Sequence, residues 1–434
     1  MMFEKYDAYK DSGIQWIGQI PEHWEIEKAK WIFLKADRPT RPNDGIVTCF
    51  RDGEVTLRSN RRTDGFTNAL KEHGYQGIRK DDLVIHAMDA FAGAIGVSDS
   101  EGKSTPVYSA CIPRIKNRIN VYYYAYYLRN LALAGFIESL AKGIRERSTD
   151  FRFADFAELL LPFPKLEDQE RIVAFLNQKT SEIDQAIAIK EQQIALLNER
   201  KQIVIQKAVT QGLEPNVPMK NSGVEWIGQI PEHWELKKIK HVTSKIGSGV
   251  TPSGGGATYL DEGIPLLRSQ NIHFDRIDLN DVARISEKVH HSMSNSKVRK
   301  NDVLLNITGG SIGRCYFVET SEEMNVNQHV CILRPKKNIT SIFLNAVLAS
   351  EVGQGQIWYF QQGGGREGLN FQALKNFDIA LPPIEEQILI SKKVEEIYQQ
   401  FGNMNAHIQM QIEKLKEYKT TLINDAVTGK IKVA

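Results

Sequence analysis

The 434-residue chain is 41% hydrophobic and 25% charged, with 55 Lys and Arg against 53 Asp and Glu. This composition excludes wholesale disorder and fibrous repeats, and a formal charge of +2 offers no bulk electrostatic case for nucleic-acid binding. Length predicts several compact units, and no apolar run approaches the roughly 20 residues of a membrane helix.

The first 25 residues carry no apolar leader, so a cytoplasmic chain with no membrane contact is expected. Their segment DSGIQWIGQIPEHWEIEKAK at 11–30 returns as NSGVEWIGQIPEHWELKKIK at 221–240. A repeat of this length marks a tandem duplication. Trp16, Trp24, Trp226 and Trp234 lie inside it; being common to both halves, they are predicted to pack rather than to stack on bases.

Residues 26–160 hold the strand-like runs DLVIHAM, GAIGVSD and YSACIPRI, then the helical run NVYYYAYYLRNLALAGFIESLA. Cys49 and Cys111, like Cys315 and Cys331 later, lack the close spacing of zinc or redox motifs. Asp89, Glu101 and Lys103 follow the residue order of a metal-dependent nuclease, but DSEGKS predicts a hairpin turn where such a site needs a strand.

Residues 161–213 start with LPFPKLEDQ, where prolines end a strand and carboxylates stand beside a helix N-terminus. Ile183, Ile187, Ile194, Leu197, Val204 and Ala208 then alternate steps of three and four, with Lys190 and Lys201 interrupting. Thr180–Val209 is free of Pro and Gly, which predicts a helix of about 30 residues and about 45 Å. Residues 214–235 join a linker rich in Pro and Gly to the second copy of the opening segment.

Residues 236–380 repeat the first plan with DVLLNIT, GRCYFVE and HVCILRP before SIFLNAVLASEVGQGQIWYF. Residues 381–434 repeat the helix, from LPPIEEQ through the lattice Phe401, Asn405, Ile408, Ile412, Leu415, Lys419, Leu422 and Ala426. The predicted fold class is α+β: two domains of one fold, related by a pseudo-two-fold axis and separated by two long antiparallel helices in a coiled coil, with the polar interruptions setting register.

Chemistry is sparse. The lone Pro-Pro pair, Pro382-Pro383, is followed by Ile384, so the Asn/Asp-Pro-Pro-aromatic motif of an adenine methyltransferase is missing. GSGVTPSGGGA lacks the Gly-Lys-Ser/Thr of a phosphate loop. His86, His241 and His329 lack metal-ligand spacing. What remains is the vocabulary of base readout, Arg for guanine and Asn or Gln for adenine. In the first half the candidates are Arg58, Asn60, Arg61, Arg62, Arg145, Arg147 and Arg152. In the second they are Arg268, Gln270, Asn271, Thr308, Ser311, Arg314, Asn327, Gln328, His329, Arg366 and Asn370.

The paired SGxxWIGQIPEHWE starts, LPFPKLEDQERIVAFL with LPPIEEQILI, and the endings KAVTQG and DAVTGK together resemble the specificity subunits of type I restriction-modification enzymes, across essentially the whole chain. GSGVTPSGGGATYLDEGIPLLRSQNI, NDVLLNITGGSIGR and NVNQHVCILRP resemble that family's target recognition domains; KDDLVIHAM, GAIGVSDSEG and STPVYSA match more remotely. The resemblance implies a non-catalytic subunit that binds double-stranded DNA at a bipartite asymmetric site. It implies two methyltransferase subunits that use S-adenosylmethionine, and restriction (translocase/nuclease) subunits that use ATP and Mg²⁺, with no cofactor in this chain. The alternatives are a nuclease built on Asp89, Glu101 and Lys103, and a coiled-coil scaffold that binds proteins. A neighbouring gene encoding the missing methyltransferase motif would separate them.

Overall fold

In the computed structural model, residues 3–61, 72–140, 150–252, 254, 256, 259–361 and 368–433 are described. They form two units. The first comprises residues 1–190 and 410–434, the second residues 191–409.

Each unit carries the same frame. In the first, Phe33–Lys35, Tyr108–Pro113, Leu83–His86 and Ile95–Val97 form an antiparallel sheet in that order. In the second, Thr243–Ser248, Val330–Pro335, Val303–Asn306 and Cys315–Phe317 do the same. The runs picked out by their apolar pattern are these strands. Around the frame the units diverge. The first adds two small two-stranded sheets, and the second a three-stranded sheet in which Ile264–Leu267 pairs antiparallel to Ala283–Ile285 and parallel to Asn325–Val326.

The helical runs after the sheets are broken where a single helix was expected. Val121–Leu133 and Phe136–Ser139 are separated at Gly135, whose φ of 81° lies in the left-handed region. Ser341–Ala349 and Glu351–Gln361 meet at Ser350, which is extended. Here the backbone folds back so closely that a Cβ on Gly353 would lie 2.3 Å from the Leu348 carbonyl oxygen, so only glycine fits.

The long helices exceed the expected length. Leu166–Gln211 has 46 residues and Ile384–Val427 has 44, about 69 and 66 Å at 1.5 Å per residue. The carboxylate-rich starts and the apolar lattices belong to the same uninterrupted helices. Within each unit the two run antiparallel: Lys190 Nζ donates to Gln411 Oε1 at 2.6 Å and Lys419 Nζ to Asp184 at 2.7 Å in the first. In the second, Asn405 Nδ2 donates to Asn198 Oδ1 at 2.9 Å, and Lys201 lies over the Tyr398 ring. All four predicted polar interruptions thus meet the opposite helix.

Each core is completed by a distant stretch of chain. Leu422, Ala426, Val427 and Val433 pack with Trp24, Ile20 and Tyr123 in the first unit, while Ile205, Ala208 and Val209 pack with Trp234, Ile230 and Phe343 in the second. Trp24 and Trp234 are fully buried, Trp16 stacks on Phe136 and Trp226 tilts against Tyr359, so the repeated tryptophans pack. Part of the expected linker is structured: Met219–Asn221 pairs with Gln229–Pro231. Among the described residues no helix is long and apolar enough to cross a membrane.

Candidate nucleic-acid interface

One end of the sheet in the second unit gathers the candidate residues. Asn306 pairs with Val330 across the central strands, so the chain leaving at Ile307 runs beside the chain entering at Asn327–His329, and Ile307 N–H donates to the His329 carbonyl at 3.0 Å. Asn327 N–H bonds the Leu267 carbonyl at 3.0 Å, Leu369 N–H bonds the Ile307 carbonyl at 2.8 Å, and Gly249 N–H bonds the Asn327 carbonyl at 3.1 Å. At Gly249 an added Cβ would lie 1.7 Å from the Val326 carbonyl oxygen, so glycine permits that approach. The fully buried Asn306 ties the cluster from below, its amide donating to the Ser269 carbonyl at 2.7 Å and to Ser311 Oγ at 3.1 Å.

The predicted residues play different parts in this cluster. Asn271 is buried; its oxygen accepts from Arg268 N–H and its amide donates to the Asp278 carbonyl, so it shapes the loop and presents no free edge. Asn327 is also buried and caps His329 N–H. Ser311 accepts from Asn306. Asn370, itself exposed, caps the helix Phe371–Lys375 through its oxygen. Arg268 lies over the Tyr259 ring, centroid distance 5.6 Å, and its buried Nε has no partner among the described residues. Gln270 is exposed. Thr308, Gln328 and His329 are joined side chain to side chain. Arg314, half-buried, lies in the same loop as Thr308, ahead of the strand Cys315–Phe317. Arg366 lies outside the described residues.

The first unit builds the matching corner with other side chains. Phe151 N–H bonds the Ala87 carbonyl at 3.1 Å, the counterpart of Leu369 on Ile307, and Arg152 starts the helix Phe153–Ala157 as Asn370 starts its own. Arg152 is exposed and pairs with Asp150. Arg58 donates to Thr48 Oγ1 at 3.3 Å and Asn60 to Thr56 Oγ1 at 2.9 Å. Arg61 pairs with Asp52 and Glu54 over the Phe50 ring, and its hydrogen bond holds the Asp52 carboxyl below the usual carboxylate range. Arg62, Arg145 and Arg147 lie outside the described residues.

Two residues of this corner, Arg51 and Met88, were not singled out from sequence, whereas His86 was. Arg51 pairs with Asp89 at 2.8 Å, His86 packs at a tilt against Tyr108 at 4.5 Å between centroids, and Met88 is 43% exposed at the tip of the loop. Desolvation by burial lowers the His86 pKa, while the Asp89 N–H and the Asp89 carboxylate both lie 3.2 Å from its Nδ1. The signal for Met88 was its place two residues past the strand, where the second half has Thr308.

The nuclease arrangement is not assembled. Asp89 holds Arg51, Glu101 holds Arg41 at 2.7 Å, and Lys103 holds Glu72 at 2.8 Å. Against the expected turn, Gly102–Ser104 is a strand paired with Gln76–Ile78. The strand does not rescue the site, because each member is committed to a different ion pair. Among the described residues no three His, Cys, Asp or Glu side chains converge as a metal site.

Comparisons with known proteins agree with this architecture. Residues 231–414 match the family model described as the type I restriction modification DNA specificity domain. The chain is 29% identical, over 63% of its length, to the EcoBI specificity subunit of Escherichia coli, and spans 59% of that relative. It is 27% identical to the MjaVIII specificity subunit of Methanocaldococcus jannaschii over 100% of this chain and 98% of the other. Among solved structures, a chain from a study of complex assembly and conformational transition in the type I R-M system superposes with a TM-score of 0.69 at 15% identity, covering 94% of this chain and 98% of that one. The HsdS subunit of Thermoanaerobacter tengcongensis gives 0.51 at 17% identity, covering 95% and 98%. At such identities the likeness is one of fold.

Proposed function

We propose that this chain, which is similar to the specificity subunits of type I restriction-modification systems, is such a subunit and that its two units read the two halves of one split, asymmetric DNA site. The observation that carries the reading is a common frame with unlike loop ends. The same sheet corner presents Thr308, Gln328 and Asn370 in the second unit, and Met88, Arg51 and Arg152 in the first. Side chains of different hydrogen-bonding character on one scaffold discriminate different base edges.

In this reading the chain performs no chemistry. Two methyltransferase subunits supply S-adenosylmethionine-dependent adenine methylation, and restriction subunits supply ATP- and Mg²⁺-dependent translocation and cleavage. The candidate contacts are Arg58, Asn60, Arg61, Arg62, Arg145, Arg147 and Arg152 in the first reader. In the second they are Arg268, Gln270, Thr308, Arg314, Gln328, His329, Arg366 and Asn370, with Asn271, Asn327 and Ser311 holding their loops.

The test is co-expression with a methyltransferase subunit of a type I restriction-modification system, followed by single-molecule sequencing of the host DNA. Methylated adenines in a motif of two short sequences separated by unread base pairs are expected. A continuous motif, or none, overturns the reading.

A further inference from the structure

Behind Thr308 stands a chain of side chains whose proton positions are determined by one another. The Thr251 hydroxyl donates to Gln328 Oε1. The other arm of that amide, an N–H₂ that can only donate, faces His329 Nε2 at 3.0 Å. His329 Nε2 is therefore the accepting nitrogen, and the ring proton sits on Nδ1. Nδ1 lies 2.6 Å from Thr308 Oγ1, so the threonine oxygen accepts from the ring, and its own proton must point elsewhere.

The backbone holds this oxygen at the loop corner. Ile307 on one side bonds the His329 carbonyl and receives Leu369 N–H, and Thr308 itself bridges to Gly368. The His329 backbone is pinned in turn by Asn327 Oδ1 at 3.0 Å. The threonine can thus rotate little, while remaining only half-buried.

The geometry points to Thr308 as a directional hydrogen-bond donor of the second reader, its hydroxyl turned toward an acceptor atom of the DNA by His329, with Gln328 and Thr251 as positioning residues. The inference rests on the second unit reading DNA and adds which atom donates and why. A free threonine hydroxyl serves donors and acceptors alike. With one of its two lone pairs engaged by His329 Nδ1–H, its proton is directed away from the ring and favours acceptors: guanine O6 or N7, adenine N7, thymine O4, or a phosphate oxygen. Among the described residues the first unit shows no such relay, and Met88 occupies the corresponding place after Ala87.

The experiment uses the full chain purified with its methyltransferase and a duplex carrying the methylated motif. Thr308→Val is expected to weaken binding about three- to tenfold, Thr308→Ser to retain wild-type affinity, and Gln328→Met to fall between, since His329 can then adopt either tautomer. Loss of preference at one position of one half-site identifies a base acceptor; equal weakening on every duplex identifies a phosphate. Both results support the donor role.

Unchanged affinity and preference in Thr308→Val overturns the inference, as does a wild-type Gln328→Met beside a weakened Thr308→Val, which would leave the relay without effect. A preference for a base offering only a donor would show the proton running the other way. Replacing residues 236–380 by another family member's domain tests the underlying reading separately. If both half-sequences survive that exchange, the second unit does not read DNA, whatever Thr308 does.

Discussion

The side-chain amide of Gln387 donates to the Asn338 carbonyl at 3.0 Å, and in doing so fastens the second long helix to the start of the domain helix before it. The same amide donates to the Pro382 carbonyl at 2.9 Å, and its oxygen accepts from Thr340 N–H at 3.0 Å. Gln169 repeats all three contacts, with the Arg118 and Pro164 carbonyls and Asn120 N–H, and both glutamines are fully buried. Every polar atom of each buried amide is thereby satisfied, save one amide oxygen lone pair.

Removing this latch leaves backbone groups buried without partners, at about 1–3 kcal/mol for each such group. Three backbone groups lose a partner, two of them only partly buried, so at the lower figure of about 1 kcal/mol each, Gln387→Leu is expected to destabilise the second unit by about 3 kcal/mol, and Gln169→Leu the first by a similar amount. Hydrogen exchange read by mass spectrometry locates the loss. Faster exchange confined to the Thr340 segment in Gln387→Leu, and to the Asn120 segment in Gln169→Leu, is the expected pattern. Stability equal to wild type would show the latch to be dispensable.

Catalysis gives the second prediction. The chain incubated with S-adenosylmethionine, ATP and Mg²⁺ in the absence of other subunits is expected neither to methylate nor to cut DNA. Cleavage that disappears in Asp89→Ala would restore the nuclease alternative, although Asp89 is held by Arg51.

Exchange of residues 26–160 for another member's domain is expected to alter one half of the methylated motif and leave the other intact. The frame strands that would carry the foreign loops recur in both units, so the graft keeps its hydrogen-bonded neighbours. Motif sequencing decides it: a change in both halves contradicts two separate readers.

The long helices supply a ruler. Four residues inserted after Lys190, with four more after Gln409 to keep the antiparallel seam matched, add about 6 Å and about 40° of rotation. If the helices set the unread gap, it should lengthen by one or two base pairs at about 3.4 Å each, with both half-sequences retained. An unchanged gap with full methylation would show that something other than the helices sets it.

Acid should weaken the first unit through His86. Burial lowers its pKa in the folded state, so the unfolded chain binds this proton first as pH falls below the usual histidine value of about 6.5. The stability tied to the neutral ring is present above that value and is lost as pH falls toward the folded-state pKa. Thermal melts of wild type and His86→Gln between pH 8 and 5 measure the difference. Wild type should lose more stability than the variant below about pH 6.5, and parallel curves would remove His86 as a source of acid sensitivity.

Much of this molecule was legible in the chain because duplication repeats its signals. The short continuous apolar runs at Leu83–His86 and Val303–Asn306 are strands, as their length and composition indicate, and the three-four lattices through Ile183 and Ile412 are helices, because helical periodicity reports which face is buried. The breaks at Gly135 and Ser350 escaped that logic, since an apolar helical pattern continues across them. Of the readout residues, composition could name Asn271 but not see its amide consumed by Arg268 and Asp278. It passed over Met88 because an apolar side chain at a loop tip has no polar signature.

The sequence by itself determined the repeated frame, the two long helices and the missing catalytic motifs, all of which depend on near neighbours or on one half copying the other. Only the tertiary structure decided that each core is closed by a distant stretch, Val427 packing with Trp24 and Val209 with Trp234. It alone decided which nitrogen of His329 faces Thr308. Hydrophobic burial is non-directional, so an apolar stripe states that it will be covered without stating by what. Hydrogen bonds are directional and short, so the proton order at Thr308 exists only once the three loops carrying Thr251, Gln328–His329 and Thr308 have been brought together.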